Sequence, residues 1–326
     1  MTAISASEVA ELRKQTGAGL MDCKKALQES NGDYEGALDY LRKKGQKIAE
    51  KRADKTASEG VVVTLIDSTG SAGVVMALAC ETDFVAKNEA FIDVANRLAK
   101  LALDSNVETP EELASLSLDG MSVEERLVEQ TAKTGEKVVI SALHRLRGEK
   151  LATYVHAGSK IGVLVSYIDG GQAGAAEFFR GMAMHIAAMS PSIMNYTEFD
   201  MDYVVKETES KQSRTKIDNE DRARLGKPLL PIPTYVSRLQ ITPDVIAKVE
   251  EDIKAELRAE GKPEKIWDKI LPGKIQRFFD DNTSLDQERC LLNQKYALDD
   301  SKTVEEAIQQ FSKQSSVVAY RRVAIG

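Results

Sequence analysis

The chain has 326 residues, is 42% hydrophobic and carries a formal net charge of −7. This length accommodates two or three domains with real cores, and the acidic balance argues against wholesale binding to nucleic-acid phosphates. Its longest apolar runs, about eight residues, fall well short of the roughly 20 that a membrane span needs.

The opening "MTAISASEVAELRKQ" has no apolar stretch of the signal-peptide kind. Cys23, Cys80 and Cys290 are far apart and form no CxxC pair. A cytoplasmic chain with reduced thiols is therefore expected. Residues 1–56 predict a small helical unit. Val9 and Leu12 begin a first helix, and "TGAGL" (16–20) breaks it because its glycines free the backbone. A second helix runs through Leu27 to the breaker "SNGD" (30–33), where Asp33 is placed to cap a third helix along Tyr34, Ala37, Leu38 and Leu41. Residues 41–55 hold seven Lys or Arg against Glu50 and Asp54, a net of +5. This reads as the solvated face of an exit helix and linker, with a docking surface for an acidic partner as the lesser reading.

The middle of the chain echoes itself. "GVVVTLID" (60–67) and "AGVVMALAC" (72–80) predict a hairpin followed by a helix at 91–103, striped by Phe91, Val94, Ala95, Leu98, Leu101 and Ala102. "KLATYVHA" (150–157), "IGVLVSYID" (161–169) and a helix at 173–189 repeat that order, with a further strand at 137–146 before the second copy. Helices at about 110–116 and 122–134 link the copies. Antiparallel sheets covered by helices on one face fit this pattern, an α+β fold. Further on, Val204, Val205 and Thr208, then Ile246, Val249, Ile253 and Leu257, make narrow stripes on charged helices. They suit an antiparallel helical hairpin over 201–262. Its tip, 226–243, holds four of the eight prolines and is either a rigid cap or a contact site. Helices near 264–279 and 303–313 and a strand at 316–325 complete the chain.

Enzyme motifs are missing. The Gly-Lys pairs at 226–227, 261–262 and 273–274 are followed by Pro, Pro and Ile, so no P-loop exists. "GAGLMD" (17–22) lacks the last glycine of a dinucleotide fingerprint, neither GxSxG nor HExxH occurs, and His144, His156 and His185 are scattered. No covalent catalysis, metal or cofactor is expected of this chain. Two residues stand out instead. Phe84 lies seven before Phe91, so one continuous helix would put it on the core stripe. Lys87 and Asn88 interrupt that stripe, however, and Thr82 or Asn88 could each start a helix. Core packing and an exposed junction both stay open for Phe84. His185, on the flank of its helix with Phe178, Met182 and Met189, reads first as a packing residue and second as a contact.

"ELRKQTGAGLMDCKKALQESNGDYEGALDYLRKKG" (11–45) and "ETDFVAKNEAF" (81–91) resemble the translation elongation factor Ts family. "GSKIGVLVSY" (158–167), "MAMHIAA" (182–188) and "KTVEEAI" (302–308) are similar to its further landmarks, in the same order. The resemblance implies a guanine-nucleotide exchange factor acting on EF-Tu, with no direct binding to nucleic acid or membrane. It implies a UBA-like three-helix docking domain and basic linker at 1–56, with core subdomains at 57–136 and 137–200. A coiled-coil hairpin at 201–262 and a return to the core at 263–326 complete that layout. In the family, the segment matching Thr82, Asp83, Phe84 and Val85 displaces the partner's Mg²⁺. Arg13, Leu20, Met21, Lys24, Ile161, Gly162 and His185 match partner contacts. Two departures follow. The stretch 211–243 is longer and richer in proline than in the best-known members, and no contribution is expected from the extra C-terminal helix that some members use against the partner. The alternative is a UBA-type adaptor or scaffold without exchange activity.

Overall fold

In the computed structural model, which describes residues 4–326, Ser5 opens the first helix with a capping box. Its hydroxyl accepts the Glu8 N–H at 3.2 Å, and the Glu8 carboxylate accepts the Ser5 N–H at 2.7 Å. Helix α1 (Ala6–Thr16) stops at Gly17, whose φ of 65° is the left-handed value a glycine adopts without strain. Helices α2 (Leu20–Glu29) and α3 (Tyr34–Arg52) follow, the latter capped by Asp33 as expected. Val9, Leu12, Cys23, Ala26, Leu27 and Ala37 fill the small core between them. The basic segment begins as the expected exit helix. It stays helical to Arg52 as the second half of α3.

Strands β1 (Glu59–Ile66) and β2 (Ala72–Cys80) form an antiparallel hairpin. A single helical turn, α4 (Asp83–Ala86), separates them from α5 (Glu89–Ser105). Then come α6 (Pro110–Ala114), a short ribbon of β3 (Ser117–Leu118) and β4 (Met121–Ser122), and α7 (Val123–Thr134). Gly45 of α3 sits against α7, where a Cβ would lie 3.3 Å from Ala132 and 3.5 Å from Val128. The strand expected ahead of the second copy, β5 (Val139–Arg147), pairs with β2 and completes the first sheet. Strands β6 (Lys150–Val155) and β7 (Ile161–Ile168) make the second hairpin, and α8 (Ala175–Met189) follows.

Residues Ala188–Lys313 form a compact unit of their own. Its long helix α9 (Met201–Arg224) buries only Val204 and Thr208. The proline-rich stretch folds back along it. Asn219 accepts the Leu230 N–H at 2.7 Å and donates to the Leu230 carbonyl at 2.8 Å, and Gln212 donates to the Pro233 carbonyl at 2.9 Å. Side chains thus satisfy backbone that prolines keep out of a ladder. The hairpin expected over 201–262 forms between different helices. Ile253 and Leu257 of α10 (Pro243–Ala259) pack on Trp267 of α11 (Trp267–Asn282), with Val249, Ile270, Leu271 and Ile275 around them. Val204 instead joins Val236 and Leu285, the latter from α12 (Ser284–Arg289). The α10 stripe packs on the helix that carries Trp267. A ribbon of β8 (Lys295–Tyr296) and β9 (Asp299–Thr303) and a capped helix, α13 (Val304–Phe311), end this unit.

The other unit runs to Ala187 and regains the chain at Gln314–Gly326. Its last strand, β10 (Ser316–Ala324), pairs with β7, so the two sheets have the orders β1-β2-β5 and β10-β7-β6. Alternation along β1 and β2 sends side chains both ways. Val61, Val63, Val74, Met76 and Leu78 meet Phe91, Val94 and Leu98 of α5. Val62, Val75 and Ala77 meet Leu151, Leu164 and Val323 of the second sheet. The far side of that sheet is covered by α8, where Phe179 stacks on Tyr167 with ring centroids 4.0 Å apart. At Gly162 the sheets close completely: a Cβ there would stand 2.5 Å from Val62 Cγ1 and 3.2 Å from Thr64 and Val75. Gly162→Ala should therefore wedge the sheets apart and cost about 1–3 kcal/mol. Chemical denaturation followed by circular dichroism measures this, and an unchanged unfolding free energy would show that the sheets can yield at that point.

Candidate functional site

The end of β2 and the single turn after it hold the residues singled out at 82–85. Thr82 has extended backbone angles at the N-cap of α4, yet its side chain does not cap the helix. Its hydroxyl donates to Glu136 Oε1 at 2.6 Å, and Glu136 Oε2 accepts the N–H groups of Thr82 at 3.0 Å and Glu81 at 3.1 Å. The Glu81 carboxylate accepts the Lys137 N–H at 2.7 Å and the Arg52 guanidinium at 3.0 Å. Below, the Cys80 thiol donates to the Thr82 carbonyl at 3.2 Å, and burial, aided by the charge of Glu136, pushes that thiol up to about 11.

The phase of α4 settles the position of Phe84. Asn88 accepts the Ala90 N–H at 2.8 Å and starts α5 afresh, so the helix is broken and the count back from Phe91 no longer applies. Ala86 is buried, Val85 is half-buried against the α5 core, and Phe84 points outward at 83% exposure. Asp83 accepts from Lys87 Nζ at 2.6 Å, one turn on, and this bond holds its carboxyl below the usual carboxylate range. The turn therefore offers an apolar ring beside a carboxylate with its cation still attached.

The other candidates divide into surface and interior. Arg13 and Lys24 are exposed, as are Leu20 at 50% and Met21 at 71%. Leu20 and Lys24 are one turn apart on α2 and share a face. The inside of α2 is taken by Cys23, Ala26 and Leu27, which leaves Leu20 and Met21 outside. Ile161 is half-buried at the start of β7. Its neighbour Lys160 pairs with Glu59, and Glu59 lies opposite Cys80 in the β1–β2 register. Ile161 thus shares the end of the sheets from which Thr82 emerges. Gly162 and His185 do not reach the surface. Gly162 is closed in between the sheets, and His185 is fully buried in α8, in keeping with the packing reading of its sequence position.

Sequence reasoning missed Glu136 and Glu81. No local pattern marks Glu136, which stands 54 residues from Thr82. The strand register would have found it. Ala79 faces Val139 in the β2–β5 ladder, and continuing that pairing past the strand ends sets Thr82 opposite Glu136. Among the described residues no group of three His, Cys, Asp or Glu could hold a metal ion, and no helix is long and apolar enough to cross a membrane.

Comparison with known proteins bears on the whole chain. Residues 81–229 and 231–326 match the family described as Elongation factor TS. A relative named Elongation factor Ts from Rhodopirellula baltica is 58% identical over 327 aligned residues, covering 100% of both chains. Another of that name from Flavobacterium johnsoniae is 44% identical with 100% of both chains covered. One from Campylobacter fetus is 44% identical over 99% of this chain and 94% of its own length. With the family matched over most of its length and full-length relatives at this identity, the chain belongs to the elongation factor Ts family.

Proposed function

We propose that this chain is a guanine-nucleotide exchange factor of translation elongation. It binds EF-Tu in the GDP-bound and nucleotide-free states and speeds the loss of GDP so that GTP can enter. One observation carries this reading: in a chain of this family, Phe84 is held in water on a turn anchored from behind. Leaving such a ring exposed forgoes about 1.5–3 kcal/mol of burial, which is recovered when the ring enters another protein's interior. A close-packed helix pair does not absorb an inserted ring; it shifts. In this reading Thr82 to Val85 enter the partner's GTPase domain and disturb its Mg²⁺ and phosphate contacts, which carry much of the hold on GDP. The chain makes and breaks no covalent bond and needs no cofactor of its own.

The remaining surfaces supply attachment. The three-helix bundle acts as a UBA-like docking domain through Arg13, Leu20, Met21 and Lys24, and Ile161 adds a contact at the wedge's end of the sheets. Gly162 and His185 act from inside, the glycine by letting the sheets close and the histidine by packing α8. The α10–α11 pair takes the part of the family's coiled-coil excursion. Docking alone cannot drive release, because contacts made equally with both nucleotide states shift no equilibrium. The wedge supplies the difference, and linkage requires GDP to weaken the factor's binding by the same ratio.

Three outcomes test this division. Phe84→Ala should slow the release of a fluorescent GDP from EF-Tu about ten-fold or more in stopped-flow. Its unfolding free energy should stay within about 0.5 kcal/mol of wild type, as for an exposed side chain; release at the wild-type rate would remove the wedge from the mechanism. Replacing both Leu20 and Met21 by Ser should raise the half-saturating factor concentration and leave the saturating rate unchanged. A fall in the saturating rate alone would contradict a docking role. Lys87→Met should raise the pKa of Asp83 towards the ordinary carboxylate value, read from its carboxyl carbon in an NMR titration; no rise would mean that Lys87 does not hold that carboxylate.

A further inference from the structure

The wedge reading leaves open what keeps a one-turn helix bearing an exposed ring in a single place. Four residues of α4 cannot hold themselves, since isolated helices far longer than this are marginal in water. Strand β2 ends at Cys80, so the N–H groups of Glu81 and Thr82 have left the β-ladder. Both are taken by one oxygen of Glu136, and the other oxygen takes the Thr82 hydroxyl. The carboxylate of Glu81 returns the bond to the Lys137 N–H. Two adjacent chain segments thus exchange carboxylates: each supplies the acceptor for the other's backbone. The side chain of Glu81 is only 16% exposed, and its second oxygen holds Arg52 at the end of α3, while Lys137 Nζ donates to the Ala53 carbonyl at 2.6 Å. Bonds between carboxylates and backbone N–H groups are charge-assisted and directional, whereas apolar contact has no preferred direction. The outward face of α4 shows no such anchor among the described residues: Asp83 bonds within its own turn, to Lys87.

We propose that Glu136 is a positioning residue for nucleotide exchange. With Glu81 it forms a reciprocal carboxylate clasp that aims the Thr82–Val85 turn so that Phe84 meets the partner already oriented. This rests on the wedge reading above. Glu136 touches neither partner nor nucleotide in this scheme; it acts through Thr82. A preset ring spends little of its binding on being ordered, so loss of the clasp appears in the rate of release and not in docking.

The test uses the full chain, EF-Tu loaded with a fluorescent GDP, and stopped-flow release over a range of factor concentrations. Glu136→Ala should lower the saturating rate roughly ten-fold, with the half-saturating concentration changed less than about two-fold. Glu136→Gln should recover much of the rate, because its amide oxygen can still accept both N–H groups. Thr82→Val, which loses the hydroxyl and keeps the shape, should fall between wild type and Glu136→Ala, and serves if the alanine variant folds poorly. Hydrogen exchange at the amides of Glu81 and Thr82 should accelerate in Glu136→Ala. The deciding comparison is the double variant: Glu136→Ala should slow release little further in a Phe84→Ala background. Full additivity of the two losses would overturn the positioning role, leaving Glu136 a general stabiliser. Slow release by Phe84→Ala beside wild-type release by Glu136→Ala would overturn it alone. Wild-type release by Phe84→Ala itself would overturn the wedge reading and the positioning role together.

Discussion

Strand β2 leaves no face to water, and the rest of its unit is arranged around that constraint. From Gly73 to Cys80 every residue is buried, with alternate side chains meeting α5 on one side and the second sheet on the other. A strand so enclosed must have both edges paired, and β1 and β5 take them. Its end is then a hard boundary. Beyond Cys80 the backbone leaves the ladder at half-buried Glu81 and Thr82, whose N–H groups still need partners. Glu136 meets that demand where β5 begins beside it. The clasp is thus a consequence of burial on both faces, and the fixed direction of α4 is a consequence of the clasp.

An exposed phenylalanine on a folded surface is ordinarily neutral scatter. What separates Phe84 is the contrast with its neighbours. Val85 and Ala86 turn to the core, Thr82 is tied from behind, and the ring alone is turned out. Leu20 and Met21 share the trait of apolar exposure but sit at the start of a ten-residue helix whose buried side is already complete. They offer area without a fixed thrust, as suits docking, whereas a single anchored ring suits insertion.

Features decided by neighbours in sequence were legible beforehand. Asp33 carries a capping oxygen, the glycines after Thr16 free the backbone to end α1, and the α5 stripe has a clear helical period; all appear as read. What misled was decided by partners far along the chain. Periodicity left Phe84 between core and surface, because the choice depends on whether the helix is continuous through Lys87, and the Asn88 cap breaks it. The stripe on α10 showed that the helix has an apolar side without naming its partner, and Trp267 decided that. Strand β5 could have led the second sheet until its register with β2 was seen. Gly162 matches a contact strand by motif, and its need to be glycine at a sheet crossing shows only in the side chains that face it.

The clasp also bears on how docking and insertion relate. Glu81 binds Arg52 at the end of α3, and Lys137 binds the carbonyl of Ala53 just beyond it. The helix that closes the three-helix bundle and the strand end that launches α4 are therefore fastened at one point. Gly45 fastens α3 again, by close approach to α7. A docking domain on a slack tether would raise only the local concentration of the wedge. Fixed at two points along α3, it would, in the proposed wedge mechanism, bear on the direction of Phe84 as well as on its local concentration. Under that proposal, a tight attachment would let the difference in fit between nucleotide states count more fully than a loose joint, which could take up a misfit.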